Sequence, residues 1–151
     1  MKIFIGTDHR GFKLKETLIV FLAEMNYEVV DKGAFSFNDE DDYPDFIRPV
    51  AEEISESPQY SKGIIIGGSG QGEAILANRY KGVRAVVFYG GSEEILKFSR
   101  EDNDANILAL GARFLTEDEA KSAVKVWLET DFTEAERHVR RINKIEDDVV
   151  T

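Results

Sequence analysis

GIIIGGSGQGEAILANR, Gly63 to Arg79, changes character twice, and that change decides the fold. GIIIG (Gly63–Gly67) is apolar with no polar alternation, which suits a strand buried on both faces and therefore covered by helices on both sides. GGSGQG then supplies the backbone freedom for a tight turn. From Gly72 to Arg79 the chain reads as a helix. Strand, glycine loop and helix in that order make the opening half of a parallel crossover unit.

The same alternation repeats on either side. KIFIG (Lys2–Gly6), YEVVD (Tyr27–Asp31), RAVVF (Arg84–Phe88) and NILAL (Asn106–Leu110) read as four further strands, short and rich in aliphatic residues. GFKLKETLIVFLAEMN places Leu14, Leu18, Phe21, Leu22 and Met25 on one helical face. Asp42-Tyr43-Pro44 opens a helix through about Ser57, with Pro44 in the first turn, where its missing N–H costs nothing. Helices are also expected from Ser92 to Arg100, after the capping-box pattern Thr116 to Glu119 as far as Leu128, and from Thr133 onward. The expected fold is α/β, one domain over residues 1–151, with a five-stranded parallel sheet between two helical layers and right-handed crossovers. Residues 146–151 read as a frayed tail. Ligands in such sheets gather outside the carboxyl ends of the strands. Thr7–Arg10, GGSGQG and Gly111–Arg113 should meet there.

The 151 residues are 42% hydrophobic and carry a formal net charge of -10. The first value suits a folded core, and the second disfavours binding to a nucleic-acid backbone. The chain has no cysteine, which excludes disulfides, thiolate metal sites and a cysteine nucleophile or base. MKIFIGTDHR has too short an apolar run for a signal peptide, and no run approaches the ~18 apolar residues of a membrane helix. The expectation is a cytoplasmic protein with no nucleic-acid or membrane partner. Positive charge is concentrated in ERHVRRINK (Glu136–Lys144). A local basic patch in an acidic chain suits a small anion better than a polymer.

GGSGQGE fits neither a Walker loop nor a dinucleotide fingerprint. Its backbone N–H groups converge at a helix N-terminus, which favours an anion or a developing oxyanion. Glu73, in the first helical turn, has two readings. It is a partner for the helix dipole, or it is a base beside an oxyanion hole that takes a proton from carbon next to a carbonyl. Asp8-His9 closes the first strand, either as a simple turn or as part of the ligand edge. Tyr43 is a packing residue or a substrate contact. Arg137 and Arg141 share a helix face at i and i+4, with His138 alongside. That face is a solvated one, or with Arg113 it clamps a phosphate. Trp127 reads as core.

Taken together, GTDHRGFKLK, DKGAFSFNDEDDYPDF, GIIIGGSGQGEAILANRYKGVRA, SREDNDANILALGARFL and AERHVRRI, which span nearly the whole chain, resemble the ribose-5-phosphate isomerase B family, within the group that includes galactose-6-phosphate isomerase subunits. The resemblance implies a Rossmann-like fold and interconversion of ribose 5-phosphate and ribulose 5-phosphate with no metal and no cofactor. It also implies a homodimer or dimer of dimers with sites built from two subunits. Asp8 and His9 would contact the sugar, and Gly68, Ser69, Gly70, Gln71 and Gly72 would hold the anion, with Ser69 steadying the enediolate. Asn103 would bind substrate, and Arg113, Arg137 and Arg141 would hold the phosphate near His138. One branch of the family has a cysteine as base where this chain has Gly67. The other has the glutamate, as here in Glu73. The family's ring-opening histidine is replaced by Asp102. Ring opening could then fall to Asp102 or to His9. Otherwise the substrate is another phosphosugar of the allose or galactose 6-phosphate type, or the chain only binds phosphosugars.

Overall fold

The computed structural model describes residues 1–147. Five parallel strands, β1 (Lys2–Thr7), β2 (Glu28–Asp31), β3 (Ser61–Gly67), β4 (Ala85–Phe88) and β5 (Ile107–Gly111), form one sheet in the order β2-β1-β3-β5-β4. The expected five strands are present, each within two residues of its predicted limits. Strand side chains alternate between the two faces, as the period of two requires. Ile3, Ile5, Ile64, Ile66, Leu108 and Leu110 face a cluster with α1 (Phe12–Glu24), α4 (Glu94–Glu101) and α5 (Glu117–Glu129). Phe4, Ile65, Ile107 and Ala109 face α2 (Pro44–Glu56) and α3 (Gln71–Ala77). The sheet is therefore the middle of three layers, and Trp127 is fully buried in the first cluster.

Two helical expectations shift. On α1, Leu14, Leu18 and Leu22 are buried but Phe21 and Met25 are only half-buried, and Lys15 is buried in their place. The Lys15 ammonium lies 2.8 Å from Asp31 Oδ1 and 2.5 Å from the Ala34 carbonyl, so its burial is balanced by a carboxylate and a backbone acceptor. The last helix, α6 (Glu136–Asp147), starts three residues later than Thr133. Glu134 has a positive φ of 58°, which breaks the helical path. Thr133 instead bonds the Glu101 carbonyl through both N–H and hydroxyl. Glu146 and Asp147, the first two residues of the expected tail, belong to α6, and Glu146 accepts the Gly82 N–H at 3.1 Å. The remaining four, 148–151, lie outside the described residues. No helix among the described residues is long and apolar enough to cross a membrane.

The strand order reverses between β1 and β3, so a crevice opens at their carboxyl ends. Thr7 Oγ1 donates to the Ile66 carbonyl at 2.9 Å, which joins the two strand ends at that point. α6 lies at the opposite edge of the sheet, where Glu146 reaches Arg84 just before β4.

Candidate active site

Four segments meet at the carboxyl edge. The β3–α3 loop is shaped by one backbone angle and two contacts. Gly70 has φ +79°, a conformation that glycine adopts without strain. Arg113 N–H donates to the Gly68 carbonyl at 3.1 Å. The Ser69 backbone lies so close to Gly111 that a Cβ there would stand 2.7 Å from the Ser69 carbonyl oxygen. The loop is thus seated on the end of β5 as well as on its own strand. Tyr43, at the N-terminus of α2, lays its phenol against Gly72, where a Cβ would stand 2.7 Å from the hydroxyl oxygen. Gln71 is exposed at the start of α3.

Glu73 is only 4% exposed. Its carboxylate rests directly on Gly67, where any Cβ would occupy the same space. Burial raises its pKa above 4.5, its own backbone N–H opposes that, and the Asp8 carboxylate adds to the rise. The contact with Gly67 ties the glycine at that position to the carboxylate. A side chain at position 67 and a carboxylate arriving from position 73 compete for one volume.

Asp8 is buried, accepts the Arg10 N–H at 2.9 Å, and has its own pKa raised, chiefly by burial. His9 follows it. The His9 Nδ1 lies 2.6 Å from Asp41 Oδ1, and the same oxygen accepts the His9 backbone N–H at 3.0 Å. Asp8, His9 and Asp41 offer ligand atoms within 4.8 Å of one another, the one group among the described residues able to hold a metal ion. The short bond already engages a ring nitrogen and a carboxylate oxygen of that trio. Arg113 is exposed on the rim, and its guanidinium and the Arg10 side chain both flank Gly68.

The other expected site residues are elsewhere. Asp102 caps the end of α4, before β5, and so lies at the amino edge of the sheet. Its Oδ1 is 3.2 Å from Nε2 of the buried His138. Arg137 and Arg141 are exposed on α6 beside that pair. Asn103 is exposed and lines a cleft of about 330 Å³ with Val86, Val87, Ile95 and Phe98. Within one chain, therefore, Asp8, His9, Tyr43, Gly68–Gly72, Glu73 and Arg113 are brought together. Asp102, Asn103, Arg137, His138 and Arg141 form a second group at the far edge.

Sequence reasoning missed Asp41, and it placed Arg10 at the ligand edge, within Thr7–Arg10, without giving it a role. Arg10 adjoins Asp8-His9 and was legible as part of the same strand end. Asp41 stands in an acidic run, NDEDD, and no spacing rule separates it from its neighbours.

A family model described as ribose/galactose isomerase matches residues 3–145. Ribose-5-phosphate isomerase B of Mycolicibacterium paratuberculosis is 38% identical over 143 residues, covering 95% of this chain and 88% of that protein. The Escherichia coli ribose-5-phosphate isomerase B is 38% identical over 144 residues, covering 95% of this chain and 93% of that protein. A crystal structure of the Mycoplasma genitalium ribose-5-phosphate isomerase B with bound ribulose-5-phosphate superposes with a TM-score of 0.92 at 38% identity, covering 97% of this chain and 94% of that one. The Clostridium thermocellum ribose-5-phosphate isomerase B gives 0.89 at 43% identity, covering 97% and 96%.

Proposed function

The chain belongs to the ribose/galactose isomerase family, and we propose that it interconverts ribose 5-phosphate and ribulose 5-phosphate through an enediolate, with Glu73 as the base. The observation that carries this reading is the buried Glu73 carboxylate, held on Gly67 at the mouth of the glycine loop. A helix-dipole partner has no need of burial, because that attraction works at an exposed surface. A raised pKa makes the carboxylate a stronger base for carbon.

The step moves one proton. Glu73 takes it from C2 of the aldose, the loop backbone from Gly68 to Gly72 holds the negative oxygen, and Ser69 steadies the enediolate. The same carboxylate then delivers the proton to C1. Arg113 lies at the rim where the phosphate of a bound sugar would emerge.

One chain leaves the phosphate clamp unfinished, because Arg137 and Arg141 are at the far edge. A second copy supplies them, together with Asn103. Exposed Ile75, Ile95 and Phe98, at 62%, 60% and 55%, support that assembly, since they lie on α3 and α4 next to the edge strand β4. The working unit is then a homodimer, or a dimer of dimers, with each site shared.

Proton NMR of ribose 5-phosphate with the purified protein in D2O tests the reaction. The expected result is growth of ribulose 5-phosphate with deuterium at the exchanging carbon. No product and no exchange would remove this substrate and leave a six-carbon phosphosugar isomerase or a phosphosugar-binding protein.

A further inference from the structure

An aldose 5-phosphate exists mainly as a furanose, in which C1 is bonded to the ring oxygen O4. The proton on C2 becomes acidic only after that ring opens to a carbonyl. Opening needs one group to take the proton of the 1-hydroxyl and another to protonate O4. Glu73, held on Gly67 for the carbon proton, does neither.

His9 is built for the first task. Its side chain is 17% exposed and that of Asp41 8% exposed, so the 2.6 Å contact between them is largely shielded from water. The second oxygen of Asp41 is buried with no hydrogen-bond partner among the described residues, so its carboxylate serves His9 alone. Phe37 packs edge-on against the imidazole at 6.3 Å between ring centroids. In the neutral ring, a proton on Nδ1 directed to Asp41 leaves the lone pair on Nε2, and the same bond stabilises the imidazolium that forms when Nε2 takes a proton.

We infer that His9, positioned by Asp41, opens the sugar ring. Nε2 takes the proton of the 1-hydroxyl, and the C1–O4 bond breaks as the C1=O1 carbonyl forms. O4 receives the bond's electron pair and a proton from the Asp8 carboxyl. The imidazolium then returns its proton to Asp8, and no proton is gained or lost over the step. Burial of Asp8, which raises its pKa, favours the protonated form that this exchange uses. The other aspartate–histidine pair, Asp102 with His138, is a poorer candidate. Its contact is longer, 3.2 Å, and the Asp102 side chain is 42% exposed, so water competes for the carboxylate that would position the ring. The inference rests on the isomerase reading above.

Ribulose 5-phosphate allows the two steps to be separated. Its C5 oxygen is esterified, so its C2 ketone has no hydroxyl with which to close a furanose, and exchange of its C1 proton needs no ring opening. Two rates are measured for the full-length Asp41→Asn and His9→Gln proteins: deuterium entry at C1 of ribulose 5-phosphate in D2O, and consumption of ribose 5-phosphate. The ratio of the second to the first should fall on the order of 10²-fold in both variants. A thermal melt accompanies each, since Asp41 also anchors the His9 backbone. Two rates falling in step, or an unchanged pair, would overturn the inference. So would a split seen in His138→Gln and not in His9→Gln. Absence of exchange in the unaltered protein would instead remove the isomerase reading itself.

Discussion

The two edges of the sheet hold residues of the same proposed site, with the carboxylates of one edge buried and the arginines of the other exposed. At the carboxyl edge Asp8 and Glu73 are buried, His9 is bonded on two atoms, and the loop is pinned to the ends of β3 and β5. At the amino edge Arg137, Arg141 and Asn103 are exposed. Proton transfer from carbon needs fixed geometry and a low dielectric, and both come from burial within one chain. A phosphate arrives carrying its own charge and orders the guanidiniums that meet it, so in the proposed dimer the arginines can wait in solvent until the second copy brings them into place.

The largest effect that would break this contrast is loss of the base. Glu73→Gln should lower kcat by about 10³-fold or more in both directions, with deuterium exchange from ribulose 5-phosphate lost as well. Retained exchange would return Glu73 to the helix-dipole role. Next is Gly67→Ala. The new methyl group occupies the Glu73 carboxylate position, so the base must move, and a loss of about 10²-fold in kcat is expected with the fold intact. Near-normal kinetics would show that the carboxylate is not held where the reaction occurs.

The carboxyl edge was the more legible of the two in sequence. Strands rich in Ile and Val and a glycine loop report directly on backbone geometry, so the sheet and the position of Glu73 followed from local pattern. The Asp41–His9 bond joins residues 32 apart in the chain, and nothing in NDEDD marks which acid will turn inward. Lys15 is a second instance. A helical-face count leaves lysine outside, yet Asp31 and the Ala34 carbonyl draw it in. The separation of Asp102 from Glu73 was implicit in their places, one before a strand and one after, because a parallel sheet sends those positions to opposite edges. Motif order alone does not reveal it.

A sharper test of the contrast comes from Arg137→Ala. Loss of one charged hydrogen bond to phosphate costs about 2 kcal/mol, which should raise KM roughly 30-fold with little change in kcat. Unchanged kinetics would leave α6 a solvated basic face. Mixing this variant with Glu73→Gln, after dissociation and reassembly, should restore turnover at near-normal KM, because one shared site in the mixed dimer then carries both native groups. Failure to restore it would confine each site to a single chain.

The smallest effect concerns stability. Burial holds the Glu73 pKa above its unfolded value, so between those two pH values the native state binds more protons than the unfolded chain. Stability from this group is therefore lost as pH rises through that window, and at neutral pH the ionised carboxylate is a net cost to the fold. Glu73→Gln should melt higher than the unaltered protein at pH 7, by roughly 2 °C or more for each kcal/mol relieved, and the advantage should vanish near pH 4. Equal melting temperatures at both pH values would mean that the carboxylate is not strained by its position. A gain in stability together with a loss of turnover would place the cost of burying Glu73 where the proposed chemistry needs it, at the carboxyl edge.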